Sequence, residues 1–231
     1  MSIKRVISDV FRLLTFRVTR AEMLAFGWAH LAFGLISTWL VGIGRYWDNP
    51  KAEFLQQAGV GSVVYIFALS LLLWFVVKPL RPKDWSYFYV LTFVALVSPP
   101  AILDAIPVQM FFGIDRANDI NAVFLLFVSI WRLALLVFFL KRFAALNPVY
   151  VPVATLLPIT MIVFALVMLN LEKAVFSVMG GFVDTTPNDQ AFAVLALISF
   201  FAMLAFPFLL ASYIVIIIIE FSRKRKQKIS A

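Results

Sequence analysis

The chain has 231 residues, 63% of them hydrophobic and only 14% charged, with a net charge of +8 and no cysteine. About a quarter of a soluble domain is charged, and no soluble fold could hide so much apolar surface, so a soluble globular class is excluded. Without cysteine there is no disulfide framework, thiolate metal site or cysteine nucleophile.

Residues 1–22 form an amphipathic segment. Ile3, Val6, Ile7, Val10, Phe11 and Leu14 recur at helical spacing with Arg5, Asp9 and Arg12 opposite, as in a helix lying in the cytoplasmic membrane interface. The segment lacks the short apolar core and small-residue cleavage site of a signal peptide, so the first span is expected to stay attached; Asp9 and Glu22 weigh against a transit peptide. Thr19 and Glu22 fit a capping box, which starts a new helix.

Six apolar runs follow, at 23–44, 58–77, 88–107, 121–140, 153–171 and 192–219. Each approaches or exceeds the ~20 residues that cross a hydrocarbon layer. The loops between them are short and rich in turn residues: RYWDNPK, KPLRPKDW, GIDRANDIN, LNPVYVP and DTTPNDQ. The expected fold is therefore all-α: a polytopic helical membrane protein of about six transmembrane helices plus an N-terminal interfacial helix. Residues 1–22, 23–219 and 220–231 are its cytoplasmic interfacial segment, transmembrane domain and basic cytoplasmic tail.

Charge sets the expected orientation. The N-terminal segment, second loop, fourth loop and tail hold fifteen of the twenty lysines and arginines, against four in the other loops. The positive-inside rule then puts both termini in the cytoplasm, as in a bacterial inner (plasma) membrane protein. Tyr46, Trp47, Trp85, Tyr87 and Tyr89 fall at span ends, the level amphipathic rings prefer. Anionic lipid headgroups are the natural partner of the basic segments, including the tail RKRKQK, and nucleic acid is not.

Three ionisable residues fall within spans: His30, Asp104 and Arg132. Each is expensive in hydrocarbon and needs protein or water around it. Arg132 lies roughly 16 Å below the outer boundary at 1.5 Å per residue. Asp104 lies only ~5 Å deep if its span ends at Pro107, and ~12 Å deep if residues 108–112 continue the helix, which narrows the gap in depth to Arg132 to ~4 Å. In SPPAILDAIP, Pro99 and Pro100 deprive the carbonyls of Ala95 and Leu96 of their donors. Arg132, with five donors, is placed to serve those carbonyls and the Asp104 carboxylate. Ser129, one turn from Arg132, extends this polar cluster. His30 sits in a stripe with Gly27, Gly34 and Ser37, a small-residue face for helix packing.

No metalloprotease, nucleophile-elbow or phosphate-loop motif occurs, and Gly59-Val60-Gly61 lacks the third glycine of a dinucleotide fingerprint, so no catalytic residue, cofactor or metal ligand is assigned. Trp131-Arg132, Lys141-Arg142 and the proline-containing span around Leu156 to Pro158, with a late proline in a middle span and a short cytoplasmic start, resemble bacterial relatives of the Yip1 membrane-protein family. The resemblance covers about half the chain and implies a helical protein of membrane organisation, without catalysis. The expected function is thus a non-enzymatic multi-pass membrane protein, a subunit or partner of a membrane complex or a homo-oligomer. The alternative is a small-solute, ion or proton transporter using Asp104 and Arg132.

Overall fold

The computed structural model describes residues 2–46, 54–173, 175 and 190–229. The side chain of Asp104, Trp47, most of the RYWDNPK and DTTPNDQ loops and the side chains of 224–231 lie outside the described residues. The fold is all-helical, with no strand among the described residues.

The α-helices among the described residues are α1 (Ile3–Leu14), α2 (Arg20–Leu24), α3 (Trp28–Gly44), α4 (Phe54–Gln57), α5 (Val60–Val77), α6 (Tyr87–Leu96), α7 (Ile114–Arg142), α8 (Val151–Met168) and α9 (Gln190–Ile229). Four stretches are long and apolar enough to cross a membrane: Val60–Leu80, Asp119–Arg142, Val151–Met168 and Leu195–Arg223. They match the second, fourth, fifth and sixth predicted spans. The first and third are shorter and broken; the double proline pointed to an interruption in the third, whereas the break in the first was not anticipated.

The first predicted span comes in two pieces. Thr19 and Glu22 do form a capping box, with the Thr19 N–H donating to Glu22 Oε2 at 2.8 Å. The helix it starts ends at Leu24, and Gly27 in extended conformation (φ −122°) opens α3 as a separate helix. At 17 residues α3 is about 26 Å long.

The third predicted span stops after ten α-helical residues, at Leu96, and tightens into a 3-10 helix over Pro99–Ala105. Extended Ile106 and a short 3-10 turn, Val108–Met110, follow, so residues 108–112 do not prolong an α-helix. The break is tolerated because α6 sits in the middle of the bundle. Val90 through Ser98 are all buried, α6 packs against α3 and α5, and irregular backbone at membrane depth survives where protein surrounds it.

Helix α7 starts at Ile114, so the stretch read as a polar GIDRANDIN loop is mostly helix. Helix α9 runs unbroken from Gln190 to Ile229, so residue 220 marks no structural boundary.

The core is aromatic where α6 meets α7. Phe93 stacks on Phe139 (4.0 Å between centroids, 8° between planes) and Phe139 on Phe143 (4.9 Å, 6°). Around this ladder Leu13, Leu96, Leu135 and Leu140 are fully buried.

Helix α1 meets three environments. Val6, Val10 and Leu13 are buried in the core, Ile3, Ile7 and Phe11 are exposed apolar side chains, and Lys4 and Arg5 are exposed cations. It ends in a Schellman motif: the Arg17 N–H donates to Arg12 O at 2.7 Å and the Phe16 N–H to Leu13 O at 3.0 Å. Phe16 (φ 61°) occupies the left-handed position that glycine usually fills.

The N-terminal segment, second loop, fourth loop and end of α9 meet at one end of the bundle. Arg20 pairs with Asp84 and donates through Nε to Phe143 O at 3.0 Å, and the Lys83 N–H donates to Ala144 O at 2.8 Å. Tyr150 donates to Glu220 at 2.9 Å, with Arg81 3.8 Å and Arg223 3.2 Å from the same carboxylate. These are the four segments that carry fifteen of the twenty cations.

Candidate functional site: helix breaks closed by polar side chains

The breaks at Gly27 and Pro99 each expose backbone groups that an unbroken helix would satisfy internally. Two ionisable residues picked out in the sequence meet them: His30, from the first turn of the same helix, at Gly27, and Arg132, from α7, beside Pro99.

Arg132, half-buried on α7, donates through Nε to Val97 O at 3.2 Å and through Nη2 to Ser98 O at 3.4 Å. The sequence reading pointed to the carbonyls of Ala95 and Leu96. The shift toward the C-terminus has a local cause: as the chain tightens into 3-10 geometry, the Ser98 N–H takes Ala95 O at 3.2 Å. The Ala101 N–H, which an α-helix would direct at Val97 O, takes Ser98 O at 2.9 Å instead. Val97 O is thus left to Arg132. A guanidinium at this end also faces the negative pole of α6, so charge and hydrogen bonding act in the same sense.

Asp104 lies in the 3-10 helix that follows, which packs against α7. Its pairing with Arg132 falls outside the described residues. Ser129 is exposed on α7.

His30 is fully buried on the first turn of α3. Its Nδ1 accepts the N–H of Gly27 at 3.2 Å, the role a capping residue plays at the third helical position. That bond fixes the tautomer, with the proton on Nε2, which faces Asp9 Oδ2 at 3.2 Å. Phe26 stacks on the ring at 4.4 Å and 23°. The partner acid comes from the interfacial helix, a link that sequence spacing within one span could not reveal.

Of the small-residue face, Gly34 is in tight contact: a Cβ there would lie 2.7 Å from Ala95 Cβ and 2.9 Å from its carbonyl carbon. Gly27 lies in the break with open space where a Cβ would sit, and Ser37 is only half-buried. The buried stripe of α3 instead runs His30, Leu31, Gly34, Thr38, Val41 and Gly42. Helical spacing from Gly34 to Thr38 and on to Gly42 was the signal that would have found it.

Amphipathic side chains close other helix ends. Trp131 Nε1 donates to Leu14 O at 3.1 Å, beyond which α1 stops, and Tyr89 Oη donates to Leu24 O at 3.1 Å, where α2 stops. A void of about 10 Å³ beside Tyr89 is lined also by Leu13, Met23, Phe26, Phe93, Phe139 and Phe143. Its lining is almost wholly apolar, whereas a stable buried water needs two to four polar partners.

No protein-family model, no curated protein and no solved structure matches the chain. Fold and site together define the class: an all-helical membrane protein whose broken helices are closed by polar side chains, His30 of the same helix at Gly27 and Arg132 of another helix at Pro99.

Proposed function

We propose that the chain is a non-enzymatic multi-pass protein of a bacterial inner (plasma) membrane, with both termini in the cytoplasm, that acts in membrane organisation or as a subunit of a membrane complex. The resemblance to bacterial relatives of the Yip1 family belongs to the same reading. One observation carries it: Arg132 and His30, both expensive at membrane depth, are engaged in closing helix breaks, Arg132 on Val97 O and Ser98 O and His30 on the Gly27 N–H. Such groups stabilise a particular packing of helices, and the surrounding exposed apolar surface suits lipid or partner helices.

The rival reading, a transporter, draws on the same break, because discontinuous helices form ion sites in many carriers. Reconstitution into liposomes separates the two. The proposal expects ion and proton flux no greater than in empty liposomes, with Arg132→Gln lowering thermal stability. Flux that Asp104→Asn and Arg132→Gln both abolish, in variants that remain folded, would establish transport and overturn it.

A further inference from the structure

The end of the bundle where the four basic segments meet holds four described carboxylates, and each is engaged within the protein. Asp9 faces His30, Glu22 pairs with Arg12, Asp84 with Arg20, and Glu220 with Tyr150 and Arg223. Of the exposed cations at the same end, Arg81 and Arg223 share the Glu220 carboxylate, whereas Arg17, Lys141 and Arg142 have no carboxylate partner among the described residues, and at one corner Arg142 lies over an aromatic ring.

That corner is where the α1–α2 turn lies on the last turns of α7. Phe16 meets Phe138 edge-on at 5.7 Å, and the Arg142 guanidinium lies over the Phe138 ring, 5.7 Å from its centroid. Arg17 follows Phe16, Lys141 precedes Arg142, and all three cations are exposed. Phe16 itself is 38% exposed although it holds a strained left-handed backbone that glycine would adopt at no cost. A phenylalanine there is explained by what its ring does, since strain of this kind persists where the residue is useful.

We propose that this corner binds the headgroup of an anionic phospholipid, with Arg17 and Arg142 on the phosphate and the Phe16 ring against the first carbons of the acyl chains. Charge complementarity selects the occupant: guanidinium groups donate in a fork that matches phosphate, and the contacting rings of Phe16 and Phe138 suit a ligand with a hydrocarbon tail. Nearby, Phe11 and Ile7 are exposed on α1, which extends the apolar floor along the interface. The site is separate from Arg132 and from the His30–Asp9 pair, so it does not depend on the function proposed above.

The test uses the full chain in a neutral detergent, with phosphatidylglycerol and phosphatidylcholine of identical acyl chains added before native mass spectrometry. Wild type should retain phosphatidylglycerol over phosphatidylcholine by about fivefold or more, as expected for basic residues at an anionic surface. Arg17→Gln with Arg142→Gln should erase that preference, whereas Lys4→Gln with Arg5→Gln, equal in charge change, should keep it. Equal loss in both pairs, or no preference in wild type, would overturn the site. A second measurement needs no variant: phosphatidylglycerol carrying a photoreactive group near its headgroup should label wild type at the α1–α2 turn and the last turn of α7, and labelling confined to other segments would overturn the proposal.

Discussion

His30 Nε2 lies 3.2 Å from Asp9 Oδ2, so a hydrogen bond joins a buried histidine of α3 to the interfacial helix α1. The contact fixes how α1 lies against the bundle, because Val6, Val10 and Leu13 are buried by the same docking. Asp9→Ala leaves a buried N–H without its acceptor and should cost about 1–3 kcal/mol. Asp9→Asn, whose amide oxygen can still accept, should cost less. Thermal unfolding in detergent measures both, and equal losses would mean that the hydrogen bond is not what holds α1.

Arg132→Lys keeps the charge but removes the fork that reaches two carbonyls. It should retain part of the stability that Arg132→Met loses, the latter by about 1.5–3 kcal/mol, the range for hydrogen bonds to charged groups. Chemical denaturation of the three proteins orders them, and a lysine variant no better than methionine would place the whole effect in the geometry of the guanidinium.

Gly34 and Gly61 should respond oppositely to alanine. At Gly34 the added Cβ meets Ala95 at 2.7 Å and the backbone N of Leu96 at 3.0 Å, which forces α3 from α6 and costs about 1–3 kcal/mol. At Gly61, inside α5, a Cβ meets nothing within 4 Å, and the change should be neutral or add up to about 1 kcal/mol from helix propensity. Melting temperatures of the two variants check the sign of each.

Glu22 links pH to the entry of the chain into the bundle. The backbone N–H of Thr19 chiefly, then its hydroxyl, holds the Glu22 carboxyl below the ordinary glutamate value of 4.5; burial opposes this, and Arg12 adds to the lowering. A carboxyl with a lower folded than unfolded pKa contributes stability above the unfolded value, and loses it as pH falls through the folded one. Wild type should therefore lose stability to acid below about pH 4.5 by more than Glu22→Gln does. Melting curves between pH 7 and pH 3 compare them, and parallel profiles would remove Glu22 from the acid response.

Composition and hydropathy made the class legible, because apolar runs as long as a hydrocarbon layer is thick seldom occur outside membranes. The Thr19–Glu22 capping box was legible too, since both partners lie within four residues. The lengths of the first and third spans were not. Hydropathy counts apolar residues and is blind to the break at Gly27, and it cannot tell that α6 is surrounded by protein and so need not cross on its own. The polar cluster was half legible. The double proline announced unsatisfied carbonyls near Arg132, but which carbonyls depends on the switch to 3-10 geometry, a tertiary outcome. The Asp9–His30 pair was hidden because its members lie 21 residues apart on separate helices.

A double-mutant cycle tests whether Arg132 closes the break made by Pro99 and Pro100. Pro99→Ala with Pro100→Ala restores two backbone donors and lets α6 continue, which should make Arg132 partly redundant. In that background Arg132→Met should cost at least about 1 kcal/mol less than in wild type, a coupling well above the ~0.5 kcal/mol scatter of independent sites. Equal costs in both backgrounds would contradict the account, and would mean that Arg132 holds the bundle by some contact other than the broken helix.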